Sequence, residues 1–319
     1  MTSKTSPNIS RRQFLAVGGL TFAATSLSPT YAIAQTDGLV GGAFKEAATT
    51  KVTVQHLRRN ISVLLGAGGN IAVLTGPDGN LLVDAEIVTA RPHVSDALAS
   101  INGDPVKQLI NTHWHFDHTG GNEWFHQAGA TILAHENTRK RLSQATRVEG
   151  NWQYTFPAAP SGAVPSTVFK HKHTLHVNKT VLSLEHYSPA HTDSDISVHF
   201  PEADILHTGD TFWNRDYPFI DYATGGSIDG QIRAAEANIA MVTSKTIVIP
   251  GHGALGGKAD LVLFRDVLVE IRDKVVALKR QGKALSEVVA AKPGARYDSE
   301  WGNLFQSPSD FVALVYQGV

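Results

Sequence analysis

The segment NTHWHFDHTGG, residues 111–121, places His113, His115, Asp117 and His118 within six positions. A neutral imidazole carries one nitrogen lone pair and one N–H, and a hydrophobic core gains nothing from crowding such groups together. In an extended segment side chains alternate, so His113 and His115 point the same way. Asp117 and His118 follow as the chain turns and approach from another angle. Donors divided in this way suit two adjacent metal ions better than one. Zinc takes histidine nitrogen or carboxylate oxygen at about 2.0–2.2 Å, and two-metal hydrolytic sites hold their ions about 3.5–4 Å apart. The chain has no cysteine, which restricts any metal site to His, Asp and Glu. Such hard or borderline ligands favour zinc and also admit iron or manganese.

HWHFDH resembles the H-x-H-x-D-H signature of the metallo-β-lactamase fold superfamily, and the likeness continues in order over roughly residues 50–258. His191 in SPAHTDSD is similar to the third histidine, and His252 in IPGHG to the last. Asp210 in HTGDTFW is similar to the bridging aspartate of glyoxalase II-like and lactonase-like members, and Asp84 in LLVDAE to a supporting acid. The resemblance implies that His113, His115 and His191 hold a first metal. It implies that Asp117, His118 and His252 hold a second, with Asp210 bridging the two.

Seven such ligands leave a position for water between two zinc ions. Metal binding lowers the pKa of that water from about 15.7 to roughly 7, and the bridging hydroxide then attacks a carbonyl carbon. The expected reaction is hydrolysis of a carboxylic ester, lactone, thioester or cyclic amide in a small molecule, with Asp117 as the catalytic residue that orients the nucleophile and accepts its proton. A β-lactamase is the second reading. HTDSDISVHFPE is similar to the H-T-x-D-N segment of cysteine-bearing zinc β-lactamases. Here, however, Ser194 and Asp195 replace the Asp-Asn pair, Asp210 replaces the metal-binding cysteine, and Trp213 stands where those enzymes carry a carboxylate-binding Lys. Arg215 offers a nearby cation, while Asp193 and Asp195 add negative charge beside His191. A mononuclear-iron enzyme oxidising sulfur compounds is the third reading. Di-iron flavin relatives usually carry Glu where this chain has His115.

The elements that must position these residues are legible as runs. ISVLLG, NIAVLTG and NLLVDAE read as strands, with GPDG (76–79) as a hairpin turn. RPHVSDALASI has helical spacing, VKQLINT returns to strand before the histidine loop, and GNEWFHQAG reads as a helix stopped by Gly129. A second round follows: TVLSLEHYSP, ISVHFP and ADILHTGD as strands, GQIRAAEANIAMV as a helix, then KTIVIPGHG as a strand. ADLVLFRDVLVEIRDKVVALKRQG closes the core as an amphipathic helix. Two such rounds predict an α/β fold, a four-layer αβ/βα sandwich with two mixed sheets face to face and helices outside. The segments 156–166 and 212–230 read as loops, the second positioned to line the pocket. Of the other histidines, His171, His173 and His176 read as an exposed strand face. His186 and His199 read as locally bonded within strands, and His126 and His135 follow helical or strand segments with no partner motif. His207 reads as a residue near Asp210 without a ligating role.

The 319 residues are 42% hydrophobic and 18% charged, with 28 Lys and Arg against 29 Asp and Glu, a balance that gives no reason to expect a nucleic-acid partner. SRRQFLAVGG, followed by the small-x-small triplet Ala32-Ile33-Ala34, resembles a twin-arginine export signal over residues 1–34. The mature domain then spans 35–319 and is periplasmic, with no membrane segment once the signal is cleaved. That route carries folded proteins, and the lack of cysteine fits it.

Overall fold

In strands Ile71–Leu74 and Asn80–Val83 every residue is buried, because both faces of the sheet are covered. Successive side chains go to two different cores. Ala72, Leu74, Leu81 and Val83 meet Leu182, Leu184, Ile196 and Val198, which come from another sheet. Ile71, Val73 and Leu82 instead pack with Val94 and Leu98 of helix Arg91–Ile101. The second sheet mirrors this: Ile205 and Ile249 face the inner seam, whereas Leu206 and Val248 join Leu261, Phe264 and Leu268 of helix Lys258–Arg280. Period-two alternation into two apolar layers is what a four-layer αβ/βα sandwich requires. Each fully buried Leu, Ile or Val contributes about 1.5–3 kcal/mol, so the seam forms a stiff base for the loops above it.

This computed structural model describes residues 38–302 and 305–319; the expected export signal lies outside them. Among the described residues the first sheet orders its seven strands Thr53–His56, Ile61–Leu65, Ile71–Leu74, Asn80–Val83, Val106–Ile110, Thr131–His135 and Thr167–Phe169. The second orders five: Lys172–Val177, Thr180–His186, Ile196–Phe200, Ile205–His207 and Ile247–Ile249. Each sheet is antiparallel at one side and parallel at the other. Asn80–Val83 runs parallel to Val106–Ile110, and Ile205–His207 runs parallel to Ile247–Ile249. Parallel neighbours end on the same edge, and ligand sites form there. Asp84, His113, Asp210 and His252 each follow one of these four strands within three residues.

The predicted helix RPHVSDALASI is the observed Arg91–Ile101 residue for residue, and the GPDG turn closes with a Gly79 N–H to Gly76 carbonyl bond of 3.0 Å. The strand Lys172–Val177 lies at a sheet edge, with His176 exposed, but His173 turns inward and stacks on Phe169 at 5.7 Å. The hairpin Thr146–Val148 with Tyr154–Phe156 and the closing helices Leu285–Ala290, Asp298–Trp301 and Pro308–Gly318 were not anticipated. No described helix is long and apolar enough to cross a membrane.

Candidate metal centre

The site begins where strand Asn80–Val83 ends. Asp84 and Glu86 both adopt positive φ, 70° and 59°, a conformation that costs a non-glycine residue energy and marks an imposed geometry. Asp84 lies fully buried at the centre of a small network. One carboxylate oxygen accepts the Thr112 N–H at 2.7 Å; the other accepts the Thr112 hydroxyl at 2.7 Å and faces His118 Nδ1 at 2.8 Å. The Asp84 side chain thereby fixes the start of the histidine loop and the orientation of one of its rings.

All seven predicted ligands come together. His113, His115, His191 and Asp210 form one group, and Asp117, His118 and His252 a second, with every ligand atom of a group within 4.8 Å of the others. Asp210 faces both. Its Oδ1 lies 3.1 Å from His118 Nε2, and its Oδ2 lies 3.3 Å from His191 Nε2 and 3.4 Å from His252 Nε2. A Cβ on Gly251 would overlap Asp210 Oδ1, so glycine there permits the carboxylate its place.

Hydrogen bonds set which nitrogen of each ring points inward. His115 donates Nε2–H to Asp221 at 3.1 Å, leaving Nδ1 free. His191 donates Nδ1–H to the Phe219 carbonyl at 2.7 Å, and its free Nε2 lies 2.8 Å from His115 Nδ1. His113 Nδ1 is engaged by the Thr112 hydroxyl at 3.1 Å, and its Nε2 is buried with no partner, as is Asp117 Oδ1. His118 and His252 meet through their Nε2 atoms at 3.3 Å. The lone pairs of His113, His115 and His191 converge without donors between them and would repel and stay unsatisfied, at about 1–3 kcal/mol each. A cation coordinated by nitrogens at about 2.0–2.1 Å answers that need, so the residues fit a metal.

The charge balance agrees. Burial drives His113 well below the ordinary histidine range, with help from neighbouring His118. Burial also works against the charged form of His118, but Asp210, Asp117 and Asp84 outweigh it and hold that ring well above the usual range. In the same way Asp210 and Asp117 overcome burial and push His252 up to about 9. Without a cation, the carboxylates keep protons on these two rings. A metal must displace them, which makes binding stronger as pH rises.

Loop 212–230 contributes more than a wall. Asp221 and Phe219 orient two ligands from it, and the buried Trp213 lies 4.2 Å from the His252 ring, centroid to centroid. Arg215, expected as a cation within reach, points outward and pairs with Glu300 at 3.0 Å. The acids beside His191 are also committed. Asp193 pairs with Arg141 at 2.6 Å, and Asp195 accepts the Thr192 N–H and hydroxyl while burial raises it to about 7. At the start of segment 156–166, Phe156, the last residue of strand Tyr154–Phe156, stacks on Phe116 of the histidine segment at 5.2 Å. His207 donates to the Asn70 carbonyl at 3.0 Å and accepts the Gly209 N–H at 3.2 Å, bracing backbone near Asp210. Asp221, Glu86 and Asn70 are the contributors that sequence reasoning missed. Only Asp221 had a signal, its place in a Gly-rich loop directly after a ligand.

Two sheets face to face, with a buried His/Asp cluster on the shared strand-end edge, define a metal-binding α/β sandwich. Residues 65–254, more than half the chain, match the Metallo-beta-lactamase superfamily, and the protein belongs to it. Among curated relatives the chain is 28% identical over 172 residues to a hydroxyacylglutathione hydrolase of Polaromonas sp. (strain JS666), covering 53% of this chain and 57% of that one. It is 31% identical over 114 residues to a hydroxyacylglutathione hydrolase of Erythrobacter litoralis, covering 35% and 37%. The match thus spans little more than half, or less, of these relatives' length. Among solved structures, the stereoselective inverting sec-alkylsulfatase from Pseudomonas sp. superposes with TM-score 0.61 at 16% identity, over 89% of this chain and 53% of that one. A metallo-beta-lactamase from Pontibacter korlensis superposes with TM-score 0.56 at 17% identity, over 69% and 99%.

Proposed function

We propose that the protein is a binuclear, zinc-dependent hydrolase acting on an ester, lactone or thioester of a small molecule. The observation that carries this reading is Asp210, whose two oxygens face imidazoles of both ligand groups within 3.4 Å. When bound, two such ions supply a water of lowered pKa and polarise a carbonyl oxygen. His113, His115 and His191 would hold the first, Asp117, His118 and His252 the second, and Asp210 both. Asp117 keeps Oδ1 free of hydrogen bonds while Oδ2 lies 3.2 Å from His252 Nε2, so it can hold the attacking water and take its proton. The matched hydroxyacylglutathione hydrolases support hydrolysis at an acyl group.

Aromatic rings surround the ligands. Trp152 lies 4.9 Å from His115, and Trp213 and Phe305 lie 4.2 and 5.4 Å from His252. Phe305, the least buried of the three rings, offers apolar surface to an uncharged acyl group near the carbonyl. Elemental analysis after reconstitution should find two metals per chain, and at most one would overturn the binuclear reading. Assays across a lactone, an ester, a thioester and a β-lactam should find chelator-sensitive turnover; none with any of them would overturn the hydrolase. We also infer periplasmic export through residues 1–34. Replacing Arg11 and Arg12 with Lys should leave a fused reporter in the cytoplasm, and unchanged export would refute that route.

A further inference from the structure

The turn Gly66–Asn70 joins strands Ile61–Leu65 and Ile71–Leu74 and packs against Asp117 and His118 of the second ligand group. Gly69 is packed so closely that a Cβ would overlap the His118 ring. Its N–H donates to the Asp117 carbonyl at 3.0 Å. The next residue turns to the other half of the molecule. Asn70 donates its backbone N–H to the Gly251 carbonyl at 2.8 Å. Its side-chain amide donates to the Pro250 and Gly253 carbonyls, both at 3.0 Å. These three acceptors bracket His252 on both sides in the chain. The Asn70 carbonyl in turn accepts His207 Nε2–H at 3.0 Å. Beneath the turn, buried Glu86 accepts the Gly68 N–H at 2.8 Å through one oxygen and the Ile87 N–H at 2.6 Å through the other.

Asp117 and His118 belong to the first-sheet half, and His252 to the second. Their spacing therefore depends on the register between the halves, and one pair of adjacent residues bonds to both. We propose that the turn Gly66–Asn70 is a staple that sets the geometry of the second metal pocket, with Asn70 and Glu86 as its positioning residues. The proposal rests on the binuclear reading. Neither residue touches a ligand side chain through a hydrogen bond, so their effect is on distance and angle, and it concentrates on one of two metal equivalents.

The test is a zinc titration of the metal-free protein against a competing chelator, for wild type, Asn70→Ala and Glu86→Gln. Asn70→Ala should weaken the second equivalent by at least about tenfold and leave the first within about threefold. Its kcat should recover in excess zinc, with substrate KM near wild type. Glu86→Gln, which keeps the acceptor for Gly68 but sets a donor against Ile87 N–H in one rotamer, should shift the same equivalent by a smaller factor. If wild type itself takes up a single equivalent, the binuclear reading fails and the staple falls with it. If wild type takes two and both variants keep both affinities, or lose both equally, the staple alone is refuted. Should Asn70→Ala fail to fold by circular dichroism, Glu86→Gln decides the outcome by the same criterion.

Discussion

The two ligand groups are held by different means. In the first, three imidazoles each have their outward nitrogen engaged, by Thr112, Asp221 and the Phe219 carbonyl. In the second, Asp84 orients His118 directly, while His252 is placed by its backbone turn and by the Trp213 ring. Ring-by-ring anchoring fixes each lone pair before a metal arrives. Placement through a turn ties geometry to how the halves of the sandwich sit together. Outer hydrogen bonds of the first kind are worth about 10–100-fold in metal affinity, so the first group should bind more tightly and release its ion last.

The most damaging break is at the shared carboxylate. Asp210→Ala should lower kcat/KM by about a thousandfold or more, since metal-centred charge stabilisation is worth several kcal/mol. His207→Ala, whose ring braces only backbone, should lose far less. Equal losses in folded variants would mean that Asp210 does not join the groups. Asp221 bonds His115 alone among the ligands, so Asp221→Asn should weaken the tighter zinc equivalent by roughly 10–100-fold. Asp84 bonds His118 and also Thr112 beside His113, so Asp84→Asn should weaken both. A chelator titration in which Asp221→Asn weakens both equivalents equally would remove the distinction between the groups.

Substrate charge should matter less. With Arg215 committed to Glu300, an anionic penicillin lacks the charge-assisted bond that contributes about 1.5–3 kcal/mol. We expect its kcat/KM to fall below that of a neutral lactone of similar size by roughly one order of magnitude or more. Arg215→Ala should change neither value by more than about twofold, as expected for an exposed ion pair. Faster turnover of the penicillin at equal metal loading would defeat this expectation.

The smallest effect lies outside the centre. His135 and His186 stack at 3.7 Å with planes 2° apart, and burial, with the neighbouring ring, lowers His135 to about 4. The unfolded chain, with histidine near 6.5, then binds more protons between these values. The pair's contribution is intact above about pH 6.5 and is lost as pH falls toward 4. In metal-free protein, urea midpoints should drop over this window, and His135→Gln should flatten the slope. An unchanged slope would exclude the pair as its source.

Much of this centre was legible because its chemistry is local. His113, His115, Asp117 and His118 share one short segment, a loop running into the one-turn helix Phe116–Thr119, and His191, Asp210 and His252 follow strand ends marked by Gly, Pro or Thr. The αβ/βα layering was legible from short apolar runs such as IAVL and from the repeated order of strands then helices. Asn70 was not, because it acts on carbonyls about 180 positions away, and no periodicity encodes that. Glu86 reads as one more acid until its positive φ turns it under Gly68. Arg215 looked available because sequence shows the distance along a loop but not that Glu300 waits on the outer side.

The separation of the ligands along the chain has a consequence for how the molecule reaches its final form. Asp117 and His252 lie on different rounds of strands, and an ion held between them would act as a removable cross-link closing a loop of more than a hundred residues. The loop-closure entropy such a link removes from the unfolded chain grows only slowly with length, so the clasp stabilises the fold only a little more than a short one would. It withholds that closure from any chain with only one half formed. Zinc should therefore slow unfolding more than it speeds folding, and the loaded protein should resist proteases longer than the metal-free protein.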